Sequence, residues 1–376
     1  MTIPGLRTLP RPAAYHWAMP RIQLQQASNV YRNGVVGLGA TDLTIEPGEL
    51  VAVVGPSGSG KTSLVRLIAG LDRPTTGTVR FDGDVVNDLA ANRRGVGLVV
   101  AQGALYEHMT TSDNIRFPLK VTGVQEPEQT ERTDEEAGRF GIRRLLGRKP
   151  RSLSAGERQL VATGRATVRD PAVLLFDEAL AGVDPHLRRQ IRAEFRKLHD
   201  GTHTIVYATN EQDEAMVLAD RLVVLDAGVV QQVGRPIDIY NEPVNVFVAE
   251  FLGSPGMNIV PATSAGDRLV IGTDEIAGAP PTPPTDRLLV GIRPEHVHLA
   301  EPGEAFERCL HTRVIGVEQL GSVRIAHVAF GTPDSGSLDF AVRVRAARPL
   351  AVGDSVEMAI DVDRIVYFDG DSGLRL

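Results

Sequence analysis

The chain has 376 residues, 42% hydrophobic and 23% charged, which is enough apolar material for a globular protein of two or three domains. Its formal net charge of −7 supplies no general pull on DNA or RNA, so nucleic acid is not an expected partner. The one cysteine, Cys309, excludes an internal disulfide, and no spacing around it suggests a thiolate metal site, a pattern that fits a reducing cytosol.

The segment 1–20 has prolines at 4, 10, 12 and 20 and no continuous apolar core. It reads as a poor signal peptide and a disordered lead, with Met19 as an alternative start. No apolar stretch approaches the roughly 20 residues that span a bilayer, so membrane association is expected through partner proteins. Arg21 to Ala27 alternates like an edge strand, with Ile22 and Leu24 on one face. Tyr31 follows in a turn ending at Gly34, and Leu43 and Ile45 lead through a Glu-Pro-Gly turn into the apolar run Leu50 to Val54.

The next eight residues, Gly55, Pro56, Ser57, Gly58, Ser59, Gly60, Lys61 and Thr62, fit G-x-x-x-x-G-K-[ST]. A strand feeding this pattern is a phosphate loop. Its glycines let successive N–H groups turn inward around phosphates. Lys61 adds a point charge, Thr62 offers a hydroxyl to Mg²⁺, and a helix expected to start near Ser63 aims its positive end at the same anions. A nucleoside triphosphate accompanied by Mg²⁺ is the ligand this predicts.

Further along, Gly77 to Asp84 reads as a hairpin and Gly97 to Ala101 as a short buried strand. The acidic run Glu126 to Glu136 reads as a solvated helix face. After Ser152 a helical segment leads to the apolar strand Val173 to Phe176, which ends in Asp177 and Glu178. An aspartate there can hold Mg²⁺, and the next carboxylate is placed to polarise an attacking water, which makes Glu178 the candidate general base. Thr204 to Ala208 and Leu222 to Leu225 are further buried strands, and their alternation with helices predicts a parallel α/β sheet. Beyond Gly234 the pattern changes. Residues 277–284 read as a stiff Pro-rich loop or linker, and Leu288 to Leu376 consists of short alternating runs of small-barrel character.

About 20 residues before the acidic strand end lies Leu153 to Gln159, LSAGERQ. This segment resembles the LSGGQ signature of ATP-binding cassette (ABC) ATPases. With the phosphate loop and Asp177-Glu178 already placed, the chain is identified as a member of that family from Arg21 to Leu376. The resemblance implies an α/β P-loop NTPase cassette over 21–234, with a helical subdomain at about 102–165. A β-rich, OB-like (TOBE-type) regulatory domain follows over 235–376. It also implies that Ser154, Ala155, Gly156 and Glu157 of one subunit cover the γ-phosphate held by the loop of another. Tyr31 matches the aromatic that stacks on adenine, or is a plain turn aromatic. Ser63 extends the phosphate loop, and Asp184 lies in a segment resembling the D-loop. Four C-terminal segments, 234–240, 251–258, 291–296 and 317–321, resemble importer ATPases of the maltose and glycerol-phosphate type. That subfamily implies two transmembrane permease subunits, a second ATPase subunit of the same or different chain, and an extracytoplasmic solute-binding protein reached indirectly. It also implies work at the cytoplasmic face of the plasma (inner) membrane, peripheral through the permease subunits. Residues 104–110 match the segment that grips a permease coupling helix, or pack within the helical subdomain.

Three positions depart from the family pattern. The glutamine expected at Mg²⁺ and the attacking water falls on Ala101, with Gln102 one place late. The first glycine of the signature pair is Ala155, and the switch histidine is Asn210. Losing a charge-assisted hydrogen bond costs roughly 1.5–3 kcal/mol, about a ten- to hundred-fold slower step if the bond matters in the transition state. The expectation is tight ATP binding with slow intrinsic hydrolysis. The alternative is a non-hydrolytic regulatory subunit.

Overall fold

A computed structural model describes residues 19–199, 203–265, 268–272, 274–277, 281, 285, 287–300, 309–330 and 338–376. Residues 1–18 and most of the Pro-rich stretch 277–284 lie outside that set, and so do the expectations placed on them. The chain divides into two units, 1–236 and 237–376.

The first unit begins with strands β1 (Ile22–Val30) and β2 (Val36–Ile45), then β3 (Leu50–Val54) and helix α1 (Lys61–Ala69). Next come β4 (Thr76–Phe81), β5 (Asp84–Val85) and β6 (Val96–Val100), followed by α2 (Thr111–Thr122), α3 (Glu126–Arg139) and α4 (Ala155–Thr167). The unit closes with β7 (Val173–Asp177), α5 (Pro185–Leu198), β8 (Thr204–Thr209), α6 (Gln212–Leu218), β9 (Arg221–Asp226) and β10 (Val229–Gly234).

Six strands form one sheet in the order β10-β9-β3-β8-β7-β6, parallel except for β10. Every residue of β3 is buried because both faces are covered: Val51 and Val53 join the core around α1, and α6 packs on the strand, which is why it reads as an unbroken apolar run. β6 is an edge strand and only alternately buried, a correction to its expected full burial. A second, antiparallel sheet has the order β2-β1-β4-β5. β1 is therefore interior, not an edge. Its alternation arises because one face packs on the core, a pattern an interior antiparallel strand shares with an edge.

Helix α1 contacts strands of both sheets and buries Leu64, Val65, Leu67 and Ile68 completely. Each such side chain contributes about 1.5–3 kcal/mol on burial. Its last carbonyls, Leu67 O and Ile68 O, accept from the buried Arg94 guanidinium, which also donates to Leu89 O and Val86 O. Burial pushes Arg94 down to about 10. Helices α2, α3 and α4 pack on one another. In α3 the inward residues are Gln129, Thr133 and Ala137, at i, i+4 and i+8, and most of the acidic residues face solvent as expected.

The second unit opens with α7 (Pro236–Asn241) and α8 (Val246–Phe251). Strands β11 (Asn258–Ala265), β12 (Arg268–Ile271), β13 (Asp274–Ala277), β14 (Leu288–Ile292) and β15 (Val297–Leu299) come next. They are followed by β16 (Leu310–Leu320), β17 (Val323–Phe330), β18 (Leu338–Arg345), β19 (Ser355–Ile360) and β20 (Val366–Asp369). Two five-stranded antiparallel sheets result, β13-β12-β11-β14-β20 and β15-β19-β16-β17-β18. Val290, Ile292, Val314, Phe340, Val342 and Met358 join one core drawn from both. Among the described residues no helix is long and apolar enough to cross a membrane.

Candidate nucleotide site

The loop between β3 and α1 sits at the C-terminal end of a buried parallel strand, where the chain must turn sharply before the helix. Gly55, Gly58 and Gly60 have φ of 158°, 83° and 106°. The last two lie in the left-handed region, which glycine enters without penalty. Gly60 is also sterically required: a Cβ there would stand 2.3 Å from Gly37 O. Helix α1 starts at Lys61, two residues earlier than expected, so Lys61 and Thr62 belong to its first turn. Pro56 and Ser57 complete the loop, and Ser59 N donates to Pro56 O.

Lys61 is nearly fully buried, and its ammonium donates to Gly55 O and Pro56 O, both at 2.9 Å. Burial lowers its pKa, opposed by the charges of Glu178 and Asp177. Thr62 Oγ1 donates to Asp177 Oδ1 at 3.0 Å. Burial raises the Asp177 pKa, the Thr62 hydrogen bond works against that, and the Glu178 charge adds to it. A hydroxyl and a carboxylate held together at a helix N-terminus are hard oxygen donors of the kind Mg²⁺ takes. Ser59 Oγ is buried without a hydrogen-bond partner inside the loop, and a Cβ at Gly58 would meet open space. The loop therefore fits a phosphate group, and Thr62 and Asp177 fit the ion that accompanies it.

Glu178 leaves β7 with φ of 50°, an uncommon conformation for a residue with a side chain. Its N–H donates to Ala208 O, and its Oε1 accepts from Asn210 Nδ2 at 2.8 Å. The two residues come from the ends of neighbouring parallel strands β7 and β8. Strain of about 1–3 kcal/mol in such a residue persists where surrounding bonds hold it, and Asn210 supplies one of them.

Tyr31 shares a hydrogen bond of 2.8 Å with Ser63 Oγ, and a Cβ at Gly37 would come within 2.5 Å of the Tyr31 ring. This aromatic thus lies against the first turn of α1 with its face partly open. Ser154 caps α4: its hydroxyl accepts from Glu157 N, and Glu157 Oε2 accepts from Ser154 N. Ala155 is exposed and Gly156 buried in the first turn of that helix. The structure ties Ser154 to Glu157 and not to the phosphate loop. Asp184 is exposed just ahead of α5, where Arg188 makes ion pairs with Glu211 and Glu214, residues that follow Asn210. Ala101 is exposed at the end of β6, and the Gln102 side chain lies outside the described residues.

Sequence reading missed the other wall of the loop. Gly228 N donates to Ser59 O, and Gly39 N donates to Gly228 O. The β9–β10 turn that makes this contact has Ala227 and Gly228 at φ of 44° and 81°. An Asp-Ala-Gly sequence between two strands was the available signal for that turn. Residues 104–110 lead into α2, with Tyr106 packed on Phe117 and beneath the Arg165 guanidinium.

Comparison with known proteins gives the family. Residues 38–181 match the family model described as ABC transporter, and residues 290–368 match the TOBE domain model. The chain is 40% identical over 362 residues to the sn-glycerol-3-phosphate import ATP-binding protein UgpC of Cereibacter sphaeroides, covering 95% of this chain and 100% of that one. It is 38% identical over 388 residues to the trehalose import ATP-binding protein SugC of Mycobacterium tuberculosis, covering 95% and 98%. A solved dimeric ATP-binding cassette in a post-hydrolysis state with ADP and Pi superposes with a TM-score of 0.53 at 28% identity, over 57% of this chain and 98% of that one.

Proposed function

The chain belongs to the ATP-binding subunits of ABC importers, ATPases by family, and from that premise we propose that it powers uptake of a sugar, polyol or glycerol-phosphate while hydrolysing ATP slowly by itself. The observation that carries the reading is the hydrogen bond from Asn210 to Glu178. The base is retained and oriented, but the group orienting it is a short neutral amide where the family pattern has histidine.

Lys61 would exchange its two loop carbonyls for phosphate oxygens, and N–H groups in the first turn of α1 would take part of the remaining charge. Thr62 and Asp177 would hold a Mg²⁺, whose charge would offset that of the transferred phosphoryl group. Glu178 accepts the proton of the attacking water. Tyr31 stacks on the base, and Ser154 with the Gly156 N–H closes the site from a second ATPase subunit. That subunit, of the same or a different chain, sits with this one on the cytoplasmic side of two permease subunits, fed outside by a solute-binding protein. Ala101 and Asn210 favour a second reading, in which ATP acts as a clamp in a subunit that does not hydrolyse.

Turnover of the isolated chain, measured beside its assembled transporter, tests both. Glu178→Gln is expected to lower residual turnover about a hundred-fold or more while leaving ATP binding intact. Asn210→His is expected to raise turnover about ten- to hundred-fold. Brisk wild-type turnover in isolation would overturn the slow-site reading, and no turnover in either wild type or Asn210→His would leave the clamp.

A further inference from the structure

We propose that Cys309, His311 and Glu357 form a site for one divalent cation of the zinc class in the second unit. Spacing along the chain offers Cys309 no metal-ligating partner; the fold brings two beside it. Cys309 and His311 are two residues apart at the start of β16, so their side chains share a face. Glu357 comes from β19, 46 positions beyond His311, and the antiparallel register sets it directly opposite His311. One thiol sulfur, one imidazole nitrogen and one carboxylate oxygen consequently lie within 4.8 Å of one another.

The scaffold under them is rigid. Leu310 and Met358, which alternate with the three residues and pair across the same ladder, are buried in the second core. Those two anchor the opposite face and hold the ligand face outward. In a tetrahedral zinc site with bonds of about 2.0–2.3 Å, ligand atoms stand about 3.5 Å apart. Small χ rotations close that gap from the separations present. The donor set also selects the class of ion: sulfur with imidazole and one carboxylate suits zinc-like ions and is poor for Mg²⁺, which demands oxygen. Chemically this site is therefore distinct from the oxygen pair Thr62 and Asp177. His311 is exposed, which leaves the fourth position to water.

Binding replaces the Cys309 S–H bond with a sulfur–metal bond and releases that proton to solvent. His311 and Glu357 bind through a ring-nitrogen and a carboxylate-oxygen lone pair, no electron is transferred, and thiolate and carboxylate together neutralise the ion. One proton is released per ion bound.

The test is titration of the full, tag-free, reduced chain with Co²⁺, following near-ultraviolet thiolate-to-cobalt absorption. Because Cys309 is the only cysteine, that band reports this site whatever binds at the phosphate loop. The expected result is saturation at one equivalent, displacement by Zn²⁺, and loss of the band in Cys309→Ser. His311→Ala and Glu357→Gln should each weaken Co²⁺ by about tenfold or more. Circular dichroism of the metal-free variants checks that each is folded, and Glu357→Gln keeps the shape of the side chain. Absence of the band, or a band with wild-type affinity in both His311→Ala and Glu357→Gln, would show no more than casual binding to a thiol and would overturn the site.

Discussion

Arg66 donates to both carboxylate oxygens of Asp72 at 2.8 Å, and Asn29 donates to one of them. The Arg66 hydrogen bonds, the Arg66 charge and Asn29 together hold the Asp72 pKa below its ordinary 3.8, although partial burial pushes the other way. An acid whose folded pKa is depressed stabilises the fold above its unfolded pKa and loses that contribution as pH falls through the folded value. Stability measured by urea titration should therefore fall more steeply below about pH 4 in the wild type than in Asp72→Asn, whose deficit at pH 7 is expected to be about 1–2 kcal/mol. Parallel acid limbs for the two proteins would exclude this role. At the same scale, the sequence indicated Lys61, Thr62, Asp177 and Glu178 because their chemistry repeats at fixed spacing. The partner of Asn210 was not legible, because Glu178 and Asn210 meet only where two strands end side by side.

Helix α4 carries two duties on one residue. Ser154 closes a reciprocal cap with Glu157, and the same hydroxyl is the one proposed to meet the phosphate of a second subunit. Replacing a serine cap by alanine costs about 1 kcal/mol, whereas aspartate caps as well as serine. Ser154→Ala should lower the thermal midpoint of the first unit, while Ser154→Asp should keep it. Ser154→Asp should nonetheless abolish ATP-dependent dimerisation in sedimentation, since it sets a carboxylate against a triphosphate. Dimerisation that survives in Ser154→Asp would separate the cap from any role at the nucleotide. β1 alternates like an edge, yet it hydrogen-bonds on both sides, to β2 and β4. Alternation records which face is buried and carries no information about how many neighbours a strand has.

Across the whole molecule each unit has a core of its own, one around α1 and the two sheets of the first unit, the other around the two five-stranded sheets of the second. Phe340 is fully buried in the second of these. Removing a buried phenylalanine side chain costs about 3–5 kcal/mol. Phe340→Ala is expected to lower one calorimetric transition and leave ATP binding by the first unit unchanged. Equal depression of every transition would show that the two cores unfold together.

Spacing along the chain was enough to place a phosphate loop on a buried strand, an acidic strand end after an LSxGE segment, and a β-rich C-terminal half. Each of these is local: a strand, turn or cap is decided by the φ preferences and polarity of residues within one or two turns of one another. Tertiary structure alone decided what came from contacts between distant segments. It set Gly228 against Ser59, bound Asn210 to Glu178, buried Arg94 over the end of α1 and brought Glu357 to Cys309 and His311. Strand order and register set those meetings, and they follow from how whole faces bury against each other, which no short stretch of sequence records.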